Sequence, residues 1–122
     1  MIRISCWNVN SANVRLVDIK DFLAISNCDV LLLQEIKCVN EKFPLDDIKD
    51  LGYFCEIHGQ KAYNGVAIIS KYELFDVCRD FENKTAKQES RYIQAKINVD
   101  NAQYHVASVY VPNGTAVGHE KY

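Results

Sequence analysis

Three polar clusters follow apolar runs in this 122-residue chain, and each carries residue types that can meet a cation or a phosphate. "WNVNS" places Asn8 and Asn10 behind an N-terminal apolar stretch. "VLLLQEIK" ends four consecutive apolar residues, Val30 to Leu33, with Glu35 and Lys37. "YVPNG" puts Tyr110 and Asn113 at the end of the last apolar run. One carboxylate with amide oxygens is a poor zinc site. It suits a hard cation such as Mg²⁺, which keeps several waters and takes only one or two protein carboxylates. Each residue also has a plainer reading. Asn8 fits a turn cap, Glu35 the start of a solvated loop, Tyr110 a core aromatic, and Asn113, before Gly114, a turn residue.

A second set is basic: Arg15, Lys61 and Arg91. Lys61 lies in "HGQKAYNG", whose lysine, amides and glycine-flanked backbone N–H groups suit a phosphate as well as they suit solvent. The three histidines show no ligand spacing, which argues against a histidine-based metal site.

These clusters need a scaffold that brings them to one place. "IRISCWN" alternates Ile2, Ile4 and Cys6 against Arg3, Ser5 and Trp7, which predicts a strand. From about Val14 to Ser26, Leu16, Ile19 and Leu23 recur at helical spacing beside Phe22, predicting a helix that ends near Asn27. Val30 to Gln34 reads as a strand covered on both faces. "PLDDIKDLG" reads as a short helix, with Pro44 at its start, acids in its first turn and Gly52 after its end. Leu45, Ile48 and Leu51 would share its inner side.

From Tyr53 onward the pattern is strands: "YFCEIH", "GVAIIS", "ELFDVCR", "YIQAKINV" and "QYHVASVY". The last two are joined by Asp100-Asn101, a tight-turn pair. Residues 82–89 are polar and read as a surface loop. The order predicts a layered α/β (or α+β) domain with a mixed sheet. If the strands ahead of the three clusters run near-parallel, all three clusters fall on one rim, where open α/β sheets bind ligands.

Composition bounds the alternatives. The length allows one domain, and 48% hydrophobic residues support a packed core. The net charge of −2 lacks the basic signature of a dedicated nucleic-acid-binding domain, so any polyanion contact must be local. Five cysteines, none spaced C-x-x-C, predict reduced and mostly buried thiols in a reducing, cytoplasmic setting. No apolar run approaches signal-peptide or membrane-span length, so no membrane association is expected.

"WNVNS…R", "LLLQEIK", "HGQKAYNGVAIIS", "SRYIQAKI" and "VASVYVPNG" occur in that order. Together they resemble the exonuclease III branch of the endonuclease/exonuclease/phosphatase superfamily, the bacterial AP endonucleases of base-excision repair. The resemblance extends over essentially the whole chain. It implies a four-layer α/β sandwich of two facing sheets. It also implies a phosphodiesterase dependent on Mg²⁺ (or Mn²⁺) that cuts DNA 5′ to abasic sites and removes nucleotides from 3′ ends. Carried over by motif, Asn8 and Glu35 match the metal-binding asparagine and glutamate, and Tyr110 the tyrosine at the scissile phosphate. Arg91 and Asn113 match positions near the DNA backbone, with Arg15 and Lys61 as further phosphate contacts.

The family's domain is longer. Its second half brings a "GDxN" motif, a later aspartate, and an Asp-His pair after a serine. No "GDxN" and no "SDH" occur here. The expectation is that residues 1–122 form the N-terminal part of one such domain, truncated at the C-terminus and inactive alone. A split enzyme with a separate C-terminal half as partner, and a non-catalytic remnant, are the alternatives. A phosphatase or lipid phosphodiesterase of the same superfamily is another, against which "HGQKAYNG" and "SRYI" argue.

Overall fold

Hydrophobic alternation and turn chemistry account for most of the architecture. The computed structural model describes residues 2–79 and 90–111. The elements run β1 (Ile4–Asn8), α1 (Leu16–Ser26), β2 (Val30–Gln34), a 3₁₀ turn (Asn40–Lys42), α2 (Leu45–Lys49), β3 (Phe54–His58), β4 (Val66–Ser70), β5 (Phe75–Arg79), β6 (Tyr92–Val99) and β7 (Ala102–Val109). The expected loop at 82–89, Asn113 and the closing stretch 114–122 lie outside the described residues.

Two sheets form. The first has the order β1-β2-β4-β3 and the second β5-β6-β7. β1 and β2 are parallel, whereas β2–β4 and β3–β4 are antiparallel, so the first sheet is mixed as expected. The second is wholly antiparallel. Asp100 and Asn101 both take positive φ, 49° and 69°, the left-handed pair that a two-residue hairpin turn requires. α1 ends at Asn27, also left-handed at φ 53°, where a short polar side chain tolerates that backbone.

Two apolar layers separate the elements. Ile19 and Leu23 of α1, Ile48 of α2, and Leu31, Leu33, Ala67 and Ile69 of the first sheet pack together. Trp7 joins them edge-on to Phe22, ring centroids 5.9 Å apart. On the sheet's other face, Val30, Val66 and Ile68 pack against Ile93, Ala95, Ile97 and Val106 of the second sheet. β2 and β4 are thus covered on both faces. Among the described residues this makes three layers, helix, sheet and sheet, of the four that the resemblance implies.

Four details differ from the sequence reading. The structure starts the first strand at Ile4, and Ile4 and Cys6 are exposed. The inward side of β1 is that of Trp7, because β1 lies at an edge of its sheet where the described second sheet does not cover the opposite face. Val14 precedes α1 and is exposed. Leu51, beyond the end of α2, is 41% exposed while Ile48 is fully buried. The thiols are less uniformly buried than expected: Cys28 and Cys38 are buried, Cys55 is half-buried, and Cys6 and Cys78 are exposed.

Burial pushes the Cys55 thiol up to about 12, and it raises Cys38 as well. A thiol whose pKa is higher folded than unfolded holds its proton more tightly in the fold. Its contribution is intact below the unfolded value of 9.0 and is lost as pH rises from there towards 12. Thermal midpoints measured from pH 7 to 11 should therefore fall above pH 9, and fall less steeply in Cys55→Ala. Parallel curves for the two proteins would mean that Cys55 is not the alkaline-sensitive group.

Candidate functional site

Parallel pairing carries β1 and β2 to the same edge, with Asn8 opposite Gln34. β4 begins at that edge, since Val66 pairs with Gln34. β3 ends there, with His58 opposite Val66. In the second sheet, Tyr92 at the start of β6 pairs with Val109 at the end of β7, so Arg91 and Tyr110 are neighbours, and the Tyr110 N–H donates to the Arg91 carbonyl at 2.8 Å.

Beyond the strand ends the backbones stay tied together. The N–H groups of Val9, Ser11 and Ala12 donate to the carbonyls of Gln34, Glu35 and Ile36 at 3.0, 2.8 and 3.0 Å. On the other side, the N–H groups of Ile36 and Lys37 donate to the carbonyls of Gly65 and Asn64 at 3.1 and 2.9 Å. Residues 35–37 are thus held between two flanking segments. They are held in an unusual shape, because Glu35 and Lys37 are left-handed at φ 54° and 56°, and so are Asn10, Ser11 and Asn64. Such backbone costs a non-glycine residue of order 1–3 kcal/mol and persists only where its surroundings over-determine it. Gly65 has φ 90°, and a Cβ there would stand 2.5 Å from Ile36 Cγ1. Only glycine lets this segment approach so closely.

The left-handed turn at Glu35 has a chemical consequence. Strict alternation would send its side chain to the helix side with Leu31 and Leu33. Instead its carboxylate meets Asn8, whose Nδ2 donates to Glu35 Oε2. Asn8 Oδ1 accepts from the Asn10 N–H at 3.2 Å. Asn8 therefore caps its turn, as its plainer reading expected, and also contacts the carboxylate. The Lys37 ammonium donates to Asn10 Oδ1 and stands 3.8 Å from Glu35 Oε1.

Tyr110 packs at the margin of the inter-sheet layer. Burial pushes its phenol above the ordinary value, the nearby Glu35 carboxylate adds to this, and the Arg91 guanidinium opposes it. At neutral pH the hydroxyl is consequently protonated and available as a hydrogen-bond donor. The structure thus brings Asn8, Glu35, Tyr110 and Arg91 to one rim. Lys61 is exposed on the loop between β3 and β4, on the same rim. Arg15 lies at the start of α1, its guanidinium 3.9 Å from Asp18 in an exposed pair that contributes little to stability.

Among the described residues no group of three or more His, Cys, Asp or Glu side chains comes together. The donor set at Glu35 is one carboxylate with neighbouring amides, which fits a strongly hydrated divalent cation and does not fit zinc. A loaded site would need the Asn8 amide to present its oxygen to the cation rather than its nitrogen to Glu35.

Sequence reading passed over two polar residues directly beneath this rim. Gln34 is 6% exposed and Ser108 fully buried. Gln34 Nε2 donates to Ser108 Oγ at 3.0 Å, and Ser108 Oγ donates to the Leu33 carbonyl at 2.7 Å. The available signal was a serine at an inward position of β7, between Val106 and Tyr110. The loop before β4 is braced similarly: Gln60 Oε1 accepts from Ser90 N at 2.9 Å and from Asn64 Nδ2 at 3.2 Å.

Among the described residues no helix is long and apolar enough to cross a membrane. Over 114 residues the chain is 32% identical to exodeoxyribonuclease III of Haemophilus influenzae, covering 93% of this chain and 43% of that protein. Its structure is similar to 3′ phosphatase NExo from Neisseria bound to product DNA hairpin, with TM-score 0.91, 37% identity, and 99% and 46% of the two chains covered. An AP endonuclease from Archaeoglobus fulgidus is likewise similar, with TM-score 0.87, 38% identity, and 99% and 45% covered. The chain spans less than half the length of each of these relatives. The sequence model of the Endonuclease/Exonuclease/phosphatase family matches residues 6–115, and with two facing sheets and this strand-end rim beneath that match, the chain belongs to that family.

Proposed function

We propose that this chain carries part of the active site of a DNA-repair nuclease of the exonuclease III type, hydrolysing phosphodiesters 5′ to abasic sites and at 3′ ends. The observation that carries this reading is the meeting of Glu35 with Asn8 beside Tyr110 on one rim. The similarity to an exodeoxyribonuclease III and to an AP endonuclease supports DNA as the substrate class. A neighbour described as a 3′ phosphatase supports processing of 3′ ends in particular.

Members of this family generally depend on a divalent metal. In this reading Glu35 and Asn8 hold Mg²⁺ or Mn²⁺, and the cation supplies charge stabilisation to the phosphate. Glu35 is the anionic ligand, held by backbone bonds on both sides. The Lys37 ammonium lies near one Glu35 oxygen and limits the negative charge left at the rim. Tyr110, kept protonated, donates a hydrogen bond to a phosphate oxygen. Arg91 stands beside it as a second phosphate contact, and Lys61 and Arg15 meet the DNA backbone further out. Asn113, outside the described residues, is assigned to the same backbone contact on its motif alone. DNA, and abasic duplex above all, is the partner. Residues 1–122 are in this reading the N-terminal part of one domain whose remaining part supplies further catalytic groups, and the working compartment is the cytoplasm.

The test compares turnover with Mg²⁺ of an abasic duplex, a 3′-phosphorylated duplex and a soluble phosphoinositide. The chain is assayed together with the C-terminal portion of the Haemophilus influenzae relative. Turnover of the two DNA substrates and not of the phosphoinositide is expected. Preference for the phosphoinositide would replace this reading with a lipid phosphodiesterase.

A further inference from the structure

Among the described residues the layer between the two sheets is mostly apolar. Ser70, at one end of β4, is buried with its Oγ accepting from the Tyr72 N–H at 2.9 Å, and the other buried polar group there is a side-chain pair that bridges the sheets. Val30, Val66, Ile68, Ile93, Ala95, Ile97 and Val106 bury their side chains there with Leu32 beside them. Apolar packing is non-directional, so on its own it sets the distance between two sheets better than their register. Gln34 and Ser108 interrupt this layer on its rim side. Every polar atom of the pair has a partner. Gln34 Nε2 donates to Ser108 Oγ at 3.0 Å and to the Leu32 carbonyl at 3.3 Å. Gln34 Oε1 accepts from Cys6 Sγ at 3.4 Å, and Ser108 Oγ donates to the Leu33 carbonyl at 2.7 Å. A fully satisfied buried network is directional where its surroundings are not.

Its place in the chain is what matters. Gln34 ends β2 directly before Glu35, and Ser108 is the buried β7 position two residues before Tyr110, which follows that strand. Each partner therefore lies within two residues of one member of the proposed working pair. We propose that Gln34 and Ser108 are positioning residues: their hydrogen bond pins the register of the two sheets and thereby sets the separation of Glu35 from Tyr110. This rests on the reading of Glu35 and Tyr110 as working groups. The pin itself touches neither substrate nor metal.

The experiment uses the whole 122-residue chain with 3-fluorotyrosine incorporated, the Tyr110 line being assigned by its loss in Tyr110→Phe. Without metal, Glu35→Gln should shift the Tyr110 line, because the field of a nearby carboxylate falls off with distance. The double variant Gln34→Met/Ser108→Ala replaces both partners with apolar groups of similar shape, so neither is left as the unpaired half of their hydrogen bond. It should therefore stay about as stable as the wild type. In that background the shift caused by Glu35→Gln should drop to less than half. Ser108→Ala alone should show the same loss, and it decides between the outcomes if the double variant fails to fold. Ile93→Val, which thins the same apolar layer without touching the pin, should keep the full shift. An unchanged shift in the pin variants, an equal loss in Ile93→Val, or no shift in the wild type would each overturn the proposal. A separate arm adds Mn²⁺. Failure of Mn²⁺ to broaden the wild-type Tyr110 line would count against the metal reading, while the metal-free shifts would still decide the pin.

Discussion

Glu35→Ala is expected to abolish saturable Mn²⁺ binding by the chain. With the C-terminal portion of the Haemophilus influenzae relative supplied, it should also lower cleavage of an abasic duplex by about 10²–10⁴-fold, the equivalent of several kcal/mol of transition-state charge stabilisation. The size of the effect follows from the geometry. Among the described residues Glu35 is not part of any cluster of three or more His, Cys, Asp or Glu side chains, so no ready-made set of ligands stands behind it. Asn8 contributes only an amide, and an amide without the carboxylate leaves a hard cation with too little charge to compete with water. Glu35→Gln separates charge from shape, since it keeps the side chain's size and removes the charge. It should fail nearly as completely as Ala. Calorimetry with Mg²⁺ and Mn²⁺ on the wild type and both variants gives the binding side, and single-turnover cleavage the chemical side. Equal binding by wild type and Glu35→Ala would remove Glu35 from the metal site.

The second large effect concerns the 122 residues by themselves. They are expected to leave an abasic duplex uncut under conditions in which the complemented chain cuts it. Phosphodiester hydrolysis needs a positioned metal, an activated water and stabilisation of the developing charge. In the proposed reading, Glu35 and Asn8 would serve the first and Tyr110 and Arg91 part of the third. Among the described residues no cluster of three or more His, Cys, Asp or Glu side chains forms that could both hold the metal and activate water. General acid–base help is worth about 10²–10⁴-fold, and each lost stabilising donor about a further 10²–10³-fold. Together these losses put turnover below detection while weak, salt-sensitive DNA binding through Arg15, Lys61 and Arg91 persists. Robust cleavage by the 122 residues alone, abolished by Glu35→Ala, would show that the water-activating group already lies among them.

Much of this was legible in the sequence because the relevant forces act locally. Alternation in "YIQAKINV" identified Ile93, Ala95 and Ile97 as an inward face. Helical spacing of Ile19 and Leu23 identified the buried side of α1. Asp100-Asn101 announced the hairpin. The order of elements, the mixed sheet, and the placing of Asn8, Glu35 and Tyr110 at strand ends followed from the same local rules. The motif order then pointed to the family whose model matches residues 6–115.

What only the tertiary structure decided depends on which neighbour covers which face. The alternation of Ile2, Ile4 and Cys6 is real, yet nothing local tells an edge strand from a central one, and the described second sheet leaves Ile4 and Cys6 uncovered. Leu51 has the right spacing to be buried but lies past the end of a helix too short to carry it inward. The left-handed backbone at Glu35 and Lys37 is stabilised by bonds to residues 11–12 and 64–65, distant in sequence, so no local propensity announces it. That backbone turns the Glu35 carboxylate towards Asn8. The Gln34–Ser108 pair joins residues 74 positions apart, and two ordinary polar residues become a buried bridge only when two sheets face each other. Sequence determined which side chains could do chemistry, because residue type and periodicity are local properties. Their meeting at one rim was decided by non-local pairing, because distance and direction between strands exist only once the sheets have packed.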